Sequence, residues 1–304
     1  MSNNSDNGKV SRRTFLGASL LSGVTGAGMA TGMLPGTSLA SSKHKDNPIH
    51  VAPGDLDEYY GFWSGGQSGE VRVLGVPSMR ELMRIPVFNI DCATGWGITN
   101  ESKRILGEDG VRYRTGDTHH PHMSMTDGRY DGKYLFINDK ANSRVARIRC
   151  DIMQTDNIIT LPNVSSTHGL RVQKVPHTKY VFCNGEFRVP HPNDGRDLND
   201  VTQYHTLFSA VDAETMDVSW QVLVDGNLDN TDADYEGKYA CSTCYNSEEG
   251  VTLAETMRNE RDWAVVFNIP RIEAAVKAGK FTTIGDSKVP VVDGRHGSNL
   301  TLYV

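Results

Sequence analysis

Long apolar runs are missing from this chain of 304 residues. The nearest approach follows the Arg12-Arg13 pair and extends to Ser42, and it is filled with Gly, Ala, Ser and Thr. A membrane-spanning helix needs about 20 predominantly apolar residues, so no stable membrane anchor is expected. Basic charge is short as well, with a formal net charge of −6. Phosphate backbones are held by basic faces, which excludes nucleic acid as a partner. Five cysteines at scattered positions are an odd and irregular set, not a disulfide framework. Cys241-Ser242-Thr243-Cys244 has no second CxxC and no βαβ pattern around it, so these are read as buried or turn cysteines rather than a zinc or redox motif. Helical periodicity is confined to Ser78–Arg84 and Arg271–Lys277. Aromatics are modest at 8% while glycine is frequent at 30 residues, the balance of a turn-rich β protein.

What is present begins with an address. Ser11-Arg12-Arg13-Thr14-Phe15-Leu16-Gly17, the weakly apolar run behind it and Ser38-Leu39-Ala40 occur in the order of a twin-arginine export signal cleaved after Ala40. That route carries folded proteins, often with cofactors already inserted, so the mature part, 41–304, is expected in a bacterial periplasm. Removing 1–40 takes away Lys9, Arg12, Arg13 and Asp6 and moves the formal charge from −6 to −8.

Histidines cluster at Asp117-Thr118-His119-His120-Pro121-His122, and His168 stands in Ser166-Thr167-His168-Gly169. Neutral imidazole is a common ligand of copper, zinc and iron. Neighbouring side chains of a flat strand leave on opposite faces, so His119 and His120 share one metal only if the backbone is irregular there. Pro121 keeps His120 from helical angles, and a bent loop is expected. The alternative is a set of ordinary histidines on polar turns.

An internal echo organises the rest. Lys133-Tyr134-Leu135-Phe136-Ile137-Asn138 recurs 46 positions later as Lys179-Tyr180-Val181-Phe182-Cys183-Asn184, and Trp263–Asn268 has the same character. Arg144–Arg149 and Asn157–Leu161 read as strands around a turn at Asp151–Asp156, and Leu207–Val224 repeats that design around Asp212–Thr215. Short strands in units of about 40–50 residues indicate β-propeller blades, with other all-β sandwiches as the alternative. Loops of different blades meet at the ends of the central channel, and His119 and His168, 49 positions apart, are separated by about one blade.

These residues resemble the nitrous oxide reductase family. The similarity runs from about His50 to Val304 and is carried by Tyr59–Gly66, Gly69–Asn89, Asp117–Asp127, Lys133–Arg149, Val175–Tyr180, Val224–Tyr235, Cys244–Glu248 and Met257–Trp263. The resemblance implies an all-β fold, a seven-bladed propeller holding a tetranuclear copper–sulfide cluster. It also implies a C-terminal cupredoxin domain with a dinuclear copper site, a head-to-tail homodimer, and a periplasmic electron donor such as a c-type cytochrome or cupredoxin. The activity implied is two-electron reduction of nitrous oxide to dinitrogen and water in denitrification.

By the same resemblance His119, His120 and His168 are three of seven cluster histidines. His122 is not a ligand, and Asp117 and Asp229 are acids beside the cluster, where a carboxylate on an imidazole N–H fixes the ring. Tyr245, Glu248, Asp262 and the main-chain carbonyl of Thr256 correspond to a calcium site, whose oxygen donors suit that ion. A rival calcium pattern, Asp225-x-Asn227-x-Asp229 with Glu236, is rejected as an EF-hand because Asn230 replaces the turn glycine and flanking helices are missing. The sequence stops at Val304 before the family's next histidine motif, and no cupredoxin pattern follows. The expectation is therefore the N-terminal blades of an incomplete propeller, inactive alone. Two other classes stay open: an exported non-catalytic propeller that binds a partner at its loop face, and a quinoprotein-like or hydrolytic propeller.

Overall fold

Runs of β-branched and aromatic residues punctuated by Gly, Asp and Asn favour short strands joined by tight turns. In the computed structural model of the chain they form seventeen strands among the described residues. The structure describes residues 47–107, 115–195, 204–245, 252–256 and 262–304. The export signal and its cleavage point lie outside the described residues. No helix among the described residues is long and apolar enough to cross a membrane.

The strands group into four sheets, each built on an antiparallel meander. The first contains β1 (Tyr59–Ser64), β2 (Glu70–Val76) and β3 (Glu81–Pro86), and the second β4 (Thr118–Thr126), β5 (Arg129–Asp139), β6 (Arg144–Arg149) and β7 (Gln154–Thr160). The third sheet is built from β8 (Thr167–Val172), β9 (Tyr180–Gly185), β11 (Tyr204–Asp212) and β12 (Val218–Val224), with β10 (Val189–Pro190) on β11. The fourth contains β13 (Leu228–Ala233), β14 (Tyr239–Cys244), β15 (Trp263–Asn268) and β17 (Thr301–Tyr303). Between β15 and β17 the chain returns to the third sheet, where β16 (Val291–Asp293) adds parallel to β12. Three helices complete the described elements: α1 (Asn100–Leu106), α2 (Leu253–Thr256) and α3 (Ile269–Lys277). The Asn268 side chain caps α3 by accepting from the Arg271 N–H, with Pro270 in the first turn.

Alternation explains how the sheets stack. On β5, Leu135 and Ile137 join Val71, Ile85 and Phe88 of the first sheet's side, whereas Phe136 joins Val181 and Cys183. On β9, Tyr180 and Phe182 turn the other way and pack with Phe208, Trp220 and Phe267. The second strands of the second and third sheets are thus apolar on both faces, because those sheets have a neighbour on each side. The arrangement is an all-β propeller of which the described chain supplies four blades.

Three expectations change. Ser78–Arg84 is not helical: a turn closed by the Gly75 N–H on the Arg80 carbonyl leads into β3, which pairs with β2 through Val71–Ile85 and Val73–Met83. The helix-like spacing of Met79, Leu82 and Met83 belongs to exposed side chains, while Ile85 is the buried one. The fourth-sheet counterpart of the repeated second strand is Lys238-Tyr239-Ala240-Cys241-Ser242-Thr243 in β14; Trp263–Asn268 is a strand, but the third of its sheet. Finally, His119 and His120 lie in strand β4 rather than in a loop.

Candidate metal centre

The irregularity that adjacent histidines require is a β-bulge. His119 is opposite Asn138 and His122 opposite Phe136, so three steps along β4 match two along β5. His120 takes the strain, with φ at +43°. The third sheet repeats the device: Thr167 is opposite Gly185 and Leu170 opposite Cys183, with one extra residue at His168-Gly169. The fourth does so again between Leu228 (opposite Cys244) and Thr231 (opposite Ser242), around Asp229-Asn230. His119, His168 and Asp229 therefore occupy one structural position in three successive innermost strands.

The bulges bring the imidazoles together. One ring nitrogen from each of His119, His120 and His168 lies within 4.8 Å of the others. The ring centroids are 5.1 Å apart for His119–His168 and 5.0 Å for His120–His168. Burial, then the charges of His168 and His119, hold the His120 imidazole down at about 4, so it is neutral near pH 7 and carries a free lone pair. Asp117 Oδ1 is 3.2 Å from His119 Nε2, and Asp229 Oδ1 is 2.6 Å from His168 Nδ1. Each of these two rings thus has a carboxylate at one nitrogen and the other nitrogen left over. Glu186 stands behind His168: it accepts from Lys140 Nζ at 2.8 Å and from the Ser166 hydroxyl at 2.7 Å. Burial raises the Glu186 carboxyl, but Lys140, Ser166 and Tyr245 outweigh it and hold the group below the usual range.

His122 belongs to a second tier, three residues on from His119 as Arg171 is from His168 and Asp232 from Asp229. Its Nδ1 faces Arg171 Nη1 at 3.3 Å, and Arg171 also meets Asp232 at 3.3 Å. Burial and the Arg171 guanidinium push the His122 imidazole down to about 3. This tier is invisible in sequence, because Arg171 and Asp232 carry no motif and only the bulge registers align them.

The calcium candidates are partly in view. The pair Cys244–Trp263 is the last of the β14–β15 register, so Tyr245 and Asp262 follow it at the neck of one connection. Glu248 lies outside the described residues, and for Thr256 the backbone in α2 is described but not the side chain. The EF-hand look-alike is not a loop: Leu228–Ala233 is strand, and Asp225 accepts from the His296 N–H at 2.8 Å. All five cysteines are free; Cys241 and Cys244, three apart on β14, point to opposite faces.

A set of imidazoles with flanking carboxylates suits a borderline or soft transition metal rather than calcium or magnesium. Fold and site together define a propeller whose inner strands gather three histidines into a candidate metal site. Residues 161–230 match the family model described as nitrous oxide reductase propeller repeat 2. The chain is 68% identical over 306 residues to a nitrous-oxide reductase of Pseudomonas fluorescens, covering 97% of this chain and 47% of that protein. It is 64% identical to the Stutzerimonas stutzeri enzyme of the same name, with the same coverage, and 48% identical to that of Cupriavidus necator, covering 98% and 50%. Among solved structures, a Kuenenia stuttgartiensis hydrazine synthase aligns with TM-score 0.45 at 12% identity over 69% of this chain and 47% of that one. The chain belongs to the nitrous-oxide reductase family and spans about half the length of these relatives.

Proposed function

We propose that this chain is the propeller portion of a periplasmic nitrous-oxide reductase, in which His119, His120 and His168 hold copper of a tetranuclear copper–sulfide cluster. The observation that carries the reading is the convergence of three imidazole nitrogens within 4.8 Å from two adjacent sheets. The cluster, when bound, supplies the electrons for reducing nitrous oxide to dinitrogen and water, two electrons and two protons per molecule. The chain's own residues orient the ligands: Asp117 and Asp229 hold the His119 and His168 rings, and burial keeps His120 unprotonated. Tyr245, Glu248, Asp262 and the Thr256 carbonyl bind calcium in this reading. Export by the twin-arginine route, a homodimeric full-length enzyme and a small periplasmic electron donor complete it.

Copper bound by the purified chain, measured before and after His119→Ala, His120→Ala and His168→Ala, tests the site. Loss of bound copper in each variant is expected, and binding unchanged in all three would refute the assignment. Three ligands do not complete a seven-histidine cluster, so the 304-residue chain by itself is expected to be inactive. Nitrous oxide reduction by that polypeptide alone would overturn this part of the reading.

A further inference from the structure

The repeated second strands each carry an asparagine one residue before their end, and the histidine ligands do not account for those asparagines. Asn138 is wholly buried on β5, opposite His119 in register. Its amide does not serve its own sheet. Nδ2 donates to the Thr167 carbonyl at 2.6 Å and to the His168 carbonyl at 2.8 Å, on the innermost strand of the next blade. Asn184, 46 positions later and also wholly buried, repeats the reach. Its Nδ2 donates to the Asp229 carbonyl in the following blade and to Thr231 Oγ1 at 3.0 Å. Within its own sheet Asn184 Oδ1 accepts the Gly169 N–H of the bulge at 2.8 Å. In β14 the corresponding Thr243 does the local half of the job, its hydroxyl accepting the Asn230 N–H at 3.1 Å.

Each asparagine therefore grips the carbonyl of the residue in the bulge one blade ahead. Asn138 joins the strand position of His119 to the backbone of His168, and Asn184 joins the His168 bulge to the backbone of Asp229, whose carboxylate meets His168. We infer that Asn138 and Asn184 are positioning residues which set the spacing of His119, His168 and Asp229, and so the copper affinity of the centre. The inference rests on the copper reading of the histidines. A buried donor with two carbonyl acceptors is a rigid link between blades, whereas apolar packing alone lets neighbouring sheets slide.

Cu(II) titration of the full chain tests this, read by bound copper and by the Cu(II) electron paramagnetic resonance spectrum. Asn138→Ser, too short to reach His168, is expected to lose about 10–100-fold in copper affinity and to change the copper hyperfine splitting. Asn184→Ser, which tests the same grip one blade on, is expected to do likewise if Asn138→Ser does not fold. Thr155→Val is the control: it removes another buried bond between blades, Thr155 Oγ1 to the Pro86 carbonyl at 2.9 Å, away from the histidines. It should leave affinity and spectrum unchanged at a similar loss of stability. Wild-type affinity and spectrum in a folded asparagine variant would overturn the inference. His168→Ala, measured alongside, separates the two failures: if it also leaves copper binding intact, the copper reading itself has failed.

Discussion

Gly169 allows a sharp test of how closely blades three and four must approach. A Cβ built there meets Asn184 Nδ2 at 2.6 Å and Thr231 Oγ1 at 2.7 Å, and it runs into the Asp229 carbonyl oxygen more closely still. No rotamer relieves this, because the carbonyl belongs to the backbone of β13. Gly169→Ala must push the two innermost strands apart or give up the Asn184 hydrogen bonds. Overpacking costs about 1–3 kcal/mol, and leaving a buried hydrogen bond unmade instead costs about the same, 1–3 kcal/mol. A net loss of about 2–3 kcal/mol, or about 5–10 °C in melting temperature, is expected. Gly132→Ala is the comparison: its φ is +71° but nothing lies within 4 Å of the added carbon, so only backbone strain of about 1–2 kcal/mol applies. Thermal and urea unfolding of both variants, with copper titration, give the answer. Gly169→Ala should lose copper affinity as well as stability, since the carbonyl it strikes belongs to Asp229, whose carboxylate lies against His168; Gly132→Ala should lose stability alone. A Gly169→Ala protein with wild-type melting and copper binding would refute the close-approach argument.

Acid should weaken the fold from about pH 6.5 downward, through two half-buried histidines. His120 and His122 are depressed from 6.5 to about 4 and about 3, so the unfolded chain binds more protons below 6.5. Stability is full above that pH and falls as pH drops toward 4, by up to about 1.4 kcal/mol per unit for each histidine; urea midpoints at pH 7 and 5 should show it, and His122→Gln should flatten the slope. Arg144 and Asp139 pair at 2.7 Å with both side chains buried. Arg144→Met leaves that carboxylate without its cation and should cost about 3–5 kcal/mol in urea unfolding; a loss under about 1 kcal/mol would contradict it. Thiol labelling of the native chain near pH 8 should find Cys92, which is exposed, and spare the others. Burial pushes Cys150 up to about 11 and Cys244 up to about 12, and it raises Cys183 and Cys241 as well. All five should react in denaturant.

Second strands were the legible part of the fold. A strand buried on both faces must be apolar at nearly every position, so Tyr134–Ile137 and Tyr180–Cys183 stand out, and their asparagines mark the spacing. Lys238–Thr243 escaped because Ala240, Cys241 and Ser242 are small and β14 is less enclosed, with Tyr239 exposed. Ser78–Arg84 misled because exposed Met79, Leu82 and Met83 mimic helical spacing, and only pairing with β2 decides otherwise.

Innermost strands were illegible for the opposite reason. Their residues are Thr118, His119, His120 and His122, or Thr167, His168 and Arg171, so no apolar alternation announces a strand. A bulge adds one residue and leaves no compositional mark, yet it decides whether two neighbouring histidines share a centre. The requirement for an irregular backbone at His119-His120 follows from strand geometry alone. Its repetition at His168 and Asp229 follows only from register, and with it the chemistry takes shape. Because the same bulge recurs in three blades, a single backbone position delivers imidazole, imidazole and carboxylate toward one point. Substitution at that position changes the centre without changing the fold, which is how one propeller framework can carry a metal site on ordinary strands.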